Sequence, residues 1–167
     1  IVNTISDATI DSTGQKLGGI VGEMKEESMI INSIVKGRIT GSKAYVGGIA
    51  GAMDNSTIEK SENQAIILGD LTKVGGIAGS MINESTIVDC ISSSAINGKK
   101  DTIGGISGYV DNSYIIGSKS CESINGGSYV GGIAGKLLNS SEIKNSVSEA
   151  AVASKGNSIG GIVGEIK

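Results

Sequence analysis

Histidine is absent from this chain, and so are proline, tryptophan and phenylalanine. Without His, no His-Glu-x-x-His zinc site, Ser-His-Asp triad or Cys-His pair can be assembled within these 167 residues. With only four Tyr as aromatics, the anchors that dominate most cores and binding sites are nearly missing, so the core has to be aliphatic. The two Cys neither form a metal pair nor mark an oxidising compartment. No apolar run approaches the roughly 20 residues needed to span a bilayer. The net charge of −3 is small, Lys and Glu are interspersed along the chain, and Arg38 is the sole Arg. Lacking a basic stripe with stacking aromatics, the chain is not expected to bind nucleic acid.

Glycine, by contrast, is abundant, and much of it is periodic. A hexapeptide, [Leu/Ile/Val]-Gly-Gly-Ile-[Ala/Val/Ser]-Gly, begins at Leu17, Val46, Val74, Ile103, Val130 and Ile159, at spacings of 29, 28, 29, 27 and 29 residues. A fixed period of this size marks a stacked-repeat architecture, in which each unit completes its core against its neighbours. Isoleucine is β-branched and frequent glycine disfavours helix, so the repeat is read as all-β.

Seven or eight residues after each hexapeptide stands an isoleucine: Ile30, Ile58, Ile87, Ile115 and Ile143, with Ile1 completing the column. Two positions on come Asn3, Asn32, Lys60, Asp89, Gly117 and Asn145. Asn, Asp and Gly tolerate a left-handed backbone, so this column is a predicted corner, with Lys60 the poor fit. The small column Thr4, Ser33, Ser61, Cys90, Ser118 and Ser146 follows, and six positions later a second aliphatic column, Ile10, Ile39, Ile67, Ile96, Ile124 and Val152. Alternation between them places Ala8, Gly37, Ala65, Ser94 and Ala150 inward, with Glu122 as the exception, and Asp7, Lys36, Gln64, Ser93, Cys121 and Glu149 in solvent. Each repeat is then expected to turn at Gly14, Gly41, Gly69, Gly98, Gly126 or Gly156. Three strand segments and three corners per circuit are expected.

Within the hexapeptide, Val46 and Ile49 lie three apart, which strict alternation would send to opposite faces. A bulge or corner at Gly47 and Gly48 would bring both inward; alternatively, the glycines make room for a neighbouring wall. Both accounts stay open at this level. The reading is a right-handed parallel β-helix of about 28 residues per coil, five full coils plus a partial one, forming a single repeat domain over residues 1–167. Leucine-rich repeats need a Leu frame that this chain lacks, and propeller blades need about 40 residues.

The pairing of Val46-Gly47-Gly48-Ile49-Ala50-Gly51 with Ser56-Thr57-Ile58, repeated at Val74 to Gly79 with Ser85-Thr86-Ile87 and at Val130 to Gly135 with Ser141-Glu142-Ile143, resembles the GLUG repeat of large bacterial surface and secreted proteins. That family includes adhesin-like wall proteins and the amino-terminal regions of zinc metalloendopeptidases that cleave immunoglobulin A. The resemblance implies an exported protein, extracellular or attached to the cell wall, of which this chain is a fragment lying outside any catalytic domain.

No constellation of residues points to chemistry. A carbohydrate-active β-helix would need two carboxylates at controlled separation on one strand face, whereas Asp7 and Glu149 share a column about five layers, roughly 24 Å, apart. Glu62, Asp70, Asp89 and Asp101 fall at unrelated offsets. The hexapeptide lacks both the Gly-x-Gly-x-x-Gly frame and a following Lys-Ser/Thr, and it carries none of the Asp of calcium-binding solenoids. Cys90 is expected to be a buried free thiol, and Cys121 to point outward, so no disulfide joins them. Tyr45 and Tyr129 share one column while Tyr109 and Tyr114 flank the loop at Asp111, either as a sparse recognition patch or as covers for aliphatic edges. No catalytic, cofactor-binding or metal-binding residue is assigned, and no cofactor. The expected role is a non-catalytic stalk or spacer that contacts flanking domains of its own chain. The alternatives are a surface that binds a host protein or glycan and, third, a carbohydrate-active enzyme.

Overall fold

The computed structural model describes residues 1–167 and contains no helix. About six coils stack as a parallel β-solenoid, every strand pairing with its counterpart one repeat away. One circuit illustrates the plan: Val74–Gly75, Ala78–Ile82, Thr86–Val88, Ile91–Ser92 and Ile96–Gly98. These five short segments contribute to four parallel sheets, the last two belonging to the same one. The expectation of three strands and three corners is therefore too low, because the hexapeptide is itself a corner and one further corner falls where no glycine marks it.

Aliphatic ladders fill the lumen. Ile30, Ile58, Ile87, Ile115 and Ile143 pair in unbroken register. So do Ile10, Ile39, Ile67, Ile96, Ile124 and Val152. A third ladder runs from Leu17 through Val46, Val74, Ile103 and Val130 to Ile159. A fourth, Met24, Met53, Met81, Val110, Leu137 and Ile166, has no counterpart in the sequence reading, because its Met-to-Ile variation hides the column. Burial is complete in the middle coils and is lost at the ends, where Ile1 is 56% and Ile166 70% exposed. Each rung is thus shielded by the rungs on either side.

The predicted corner column is left-handed at all six positions, including Lys60 at φ 47° beside Asn32 and Asp89 at 50° and Gly117 at 61°. Lys60 adopts the conformation because the coil requires it, despite the Cβ penalty that Asn and Gly avoid. A second left-handed column, Tyr45, Lys73, Thr102, Tyr129 and Ser158, stands immediately before the hexapeptide. Nothing in those residue types announces it, and a β-branched Thr there is strained.

At the hexapeptide both open accounts hold together. The backbone N–H groups of Ile49 and Ala50 both donate to the Ile77 carbonyl, at 2.9 and 3.0 Å, and the same convergence recurs in the next coil on Ile106. Two successive donors on one acceptor require a sharp turn, and that turn buries both Val46 and Ile49. The glycines are needed for space as well. A Cβ on Gly76 would lie 2.1 Å from the Gly105 carbonyl oxygen and 2.1 Å from Ser92 Oγ across the lumen. At Gly161, in the last copy, the same position meets nothing within 4 Å.

The turn column needs correction at both ends. Gly41, Gly69 and Gly98 stack as expected, but Ser12 pairs with Gly41 and Ser154 with Gly126, so Gly14 and Gly156 lie two residues beyond the column. Packing decides the position: a Cβ on Gly69 would lie 2.3 Å from Val74 Cγ2, whereas one on Gly14 would meet only Ser12 Oγ at 3.1 Å. The small inward column holds at Ala65 and Ser94, which are buried. It fails in the first coils, where Ile5–Ser12 and Ile34–Gly41 run as unbroken strands and leave Ala8 and Gly37 exposed.

Candidate functional site

Hydroxyls line two corners of the coil, where they satisfy the backbone. In the column after the first corner, the backbone N–H of Ser33 donates to Ser61 Oγ at 3.0 Å, and that hydroxyl donates to the Glu59 carbonyl at 2.8 Å. Ser118 and Ser146 repeat the relay. A second column, Ser56, Ser85, Ser113 and Ser141, does so in part: the Ser56 N–H donates to Ser85 Oγ at 3.4 Å and the Ser113 N–H to Ser141 Oγ at 3.2 Å, while the buried Ser56 Oγ has no partner. The unvarying Ser before each Thr-Ile or its equivalent is the signal that could have located this second relay. Buried donors at tight corners need partners, and most of these small hydroxyls provide them.

Cys90 takes a serine's place in the first relay, its backbone N–H donating to Ser118 Oγ at 3.2 Å. Its thiol donates to the Val88 carbonyl at 3.2 Å, and burial pushes its pKa up to about 12, with backbone hydrogen bonds at Ser61 and Val88 pulling the other way. Such a thiol is protonated at neutral pH and unreactive. Cys90 is buried and Cys121 half-buried, and both are free, in agreement with the sequence reading.

The carboxylates do not converge. Glu149 pairs with Lys119 at 2.8 Å, Asp70 with Lys99 at 2.8 Å, and Asp101 accepts the Ser128 N–H at 2.8 Å. Asp89 sits at its left-handed corner, Glu62 stands in register with Ile34 and Ile91, and Asp7 with Lys36. The pairing with Glu149 holds Lys119 above the ordinary lysine range. No group of three or more His, Cys, Asp or Glu side chains is placed to hold a metal ion.

Three of the four tyrosines, all but Tyr114, carry a lysine ammonium over the ring. Lys73 Nζ lies 3.7 Å from the ring centre of Tyr109 and 4.9 Å from that of Tyr45, and Lys136 Nζ lies 3.6 Å from that of Tyr129. The Tyr109 hydroxyl donates to Asp111 at 3.3 Å, and its burial, with that negative charge, raises its pKa. Tyr45, Tyr109 and Lys73 border a cavity of about 290 Å³ over Ala52 and Ser80, and an ammonium group takes up one ring face of each of Tyr45, Tyr109 and Tyr129.

A different feature is open. On the outer face beside the turn column lies a trough of about 620 Å³, floored by Leu68, Asn97 and Asn125 and ending at Arg38 and Lys155. Thr40, Leu68, Asn97, Asn125 and Ala153 mark successive coils along it. The residues after the turn column form one wall, including the Asp70–Lys99 pair. Asn125 Nδ2 donates to Asn97 Oδ1 at 3.1 Å, leaving the outer Asn97 amide N–H and the Asn125 carbonyl oxygen without protein partners.

Comparison with known families bears on one coil directly. Residues 126–153 match the family model of the GLUG motif. The matched stretch starts at the turn glycine, carries the hexapeptide at Val130, and ends on the ladder strand at Val152–Ser154. The other coils place the same residue classes in the same ladders as the matched one. No curated protein and no solved structure matches the chain.

Proposed function

We propose that the GLUG solenoid is a non-catalytic stalk of a large exported bacterial protein, holding flanking domains apart at fixed distance. The observation that carries this reading is the unbroken register of its ladders: the same columns persist from the first coil to the last, and the outer carboxylates are spread among lysines and backbone donors. An exported immunoglobulin A metalloendopeptidase or an adhesin-like wall protein would use such an element between its working parts and the cell surface. A second role, recognition of a glycan, is favoured by the open polar trough, which the stacking of coils does not require.

A stalk must act as a ruler. With Cys90 and Cys121 replaced by Ser, spin labels at Asp7→Cys and Glu149→Cys should give one narrow distance distribution centred near 24 Å plus the label arms, from five layers at about 4.8 Å. A broad distribution would refute the ruler. Release of new reducing ends from any of a panel of polysaccharides would refute the non-catalytic reading.

A further inference from the structure

We infer that the trough between Arg38 and Lys155 binds a linear uronic-acid polysaccharide, laid along the solenoid axis across successive coils. This rests on the glycan-recognition reading and not on the stalk.

Three features carry the inference. First, the trough is lined by three cations, Arg38, Lys99 and Lys155, against one carboxylate, Asp70, on a chain whose net charge is −3. Lys99 is neutralised by Asp70 at 2.8 Å, whereas neither Arg38 nor Lys155 has a carboxylate within ion-pairing distance. Second, these two unpaired cations stand four coils apart, roughly 19 Å at the usual strand spacing. No single small anion bridges that span, but a chain bearing a carboxylate on each ring does. Third, the floor between them presents an amide donor on Asn97 and an amide acceptor on Asn125, chemistry suited to ring hydroxyls. No aromatic side chain lines the trough, so stacking on a neutral sugar face is not available. Charge and hydroxyl recognition are what remain. The other acidic groups of the surface do not forbid the approach, since at physiological ionic strength they are screened beyond about 8 Å. Outside the trough, Asp11 stands in register with Thr40 at the first-coil end, and Asp101 lies beside Gly127 near the other end, where it already accepts the Ser128 N–H. The chain is expected to lie between these two carboxylates, from Arg38 to Lys155.

The two-point geometry makes length the diagnostic. An oligogalacturonate long enough to reach both cations gains from the second contact being intramolecular, whereas a digalacturonate touches one at a time. Binding of digalacturonate, hexagalacturonate, neutral dextran and inorganic polyphosphate to the 167-residue chain would be measured by calorimetry at fixed salt. The hexamer is expected to bind at least tenfold more tightly than the dimer, with Arg38→Gln and Lys155→Gln each reducing it to the dimer's level. Lys144→Gln, remote from the trough, should leave it unchanged, and matching circular dichroism spectra would establish that the variants fold. Affinity independent of length, or unaffected by both trough variants, overturns the proposal. Equal or tighter binding of polyphosphate overturns the uronate assignment in favour of charge alone. Binding of dextran instead overturns it while leaving glycan recognition standing.

Discussion

Truncation of Ile87 is the most direct probe of the ladder principle. Ile87 is fully buried at mid-stack, with Ile58 on one side and Ile115 on the other, both also fully buried. Ile87→Ala removes three carbons, which at about 0.8 kcal/mol per buried methylene amounts to roughly 2.4 kcal/mol of lost transfer free energy. The rungs above and below are held by their own backbone ladders and cannot collapse into the gap. A cavity term therefore adds to the loss, and a total of about 2 to 5 kcal/mol is expected. The same column supplies its own control: Ile143 lies near the open end and is only partly buried, so Ile143→Ala should cost less than half as much. Urea unfolding followed by far-ultraviolet circular dichroism would measure both, with hydrogen exchange at the affected coils to detect partial unfolding, which repeat arrays permit. A loss below about 1 kcal/mol at Ile87, or equal losses at both positions, would refute the claim that each rung is shielded by its neighbours.

The hexapeptide glycines offer a sharper contrast. Gly76→Ala should destabilise by about 1 to 3 kcal/mol through overpacking against Ser92 and the Gly105 carbonyl, while Gly161→Ala, with nothing within 4 Å, should be close to neutral in the same denaturation assay. At the first corner, Lys60→Gly relieves a left-handed side chain and should raise Tm by about 1 to 3 °C in a thermal melt; a fall would contradict the strain argument. Cys90 adds a pH signature. Its folded-state pKa is raised from 9.0 to about 12, so the stability it contributes is fully present below about pH 9. Above that, the unfolded thiol ionises first and stability falls by about 1.4 kcal/mol per pH unit until about pH 12. Cys90→Ser should flatten that slope relative to the parent chain in alkaline urea titrations.

The candidate trough was not visible from the linear pattern. Arg38 attracts notice as the only Arg, but its alignment with Asn97, Asn125 and Lys155 depends on where the turn column falls, and at its two ends Ser12 and Ser154, not glycine, hold that column. The tyrosine contacts are equally hidden: Lys73 meets Tyr109 from the neighbouring coil, and Lys136 meets Tyr129 across the hexapeptide of its own coil. Such pairings depend on register and loop height, which periodicity does not report.

What the order of residues dictated here is the coil: a period near 28, isoleucine columns facing one way, and a corner column readable from Asn, Asp and Gly. Those features are legible because each repeats, and a repeated side chain in a stacked array meets its own equivalents. Stacking decided the rest. The left-handed turn at Tyr45, Lys73, Thr102 and Tyr129 is imposed on residues with no preference for it. The glycine corner is tight because the opposite wall is close, and Ser12 and Ser154 take positions that glycine holds elsewhere. In each case the cause is a contact between segments about half a coil or a whole coil apart, where excluded volume and backbone hydrogen bonding outweigh local propensity by more than the kcal/mol or so that propensity supplies.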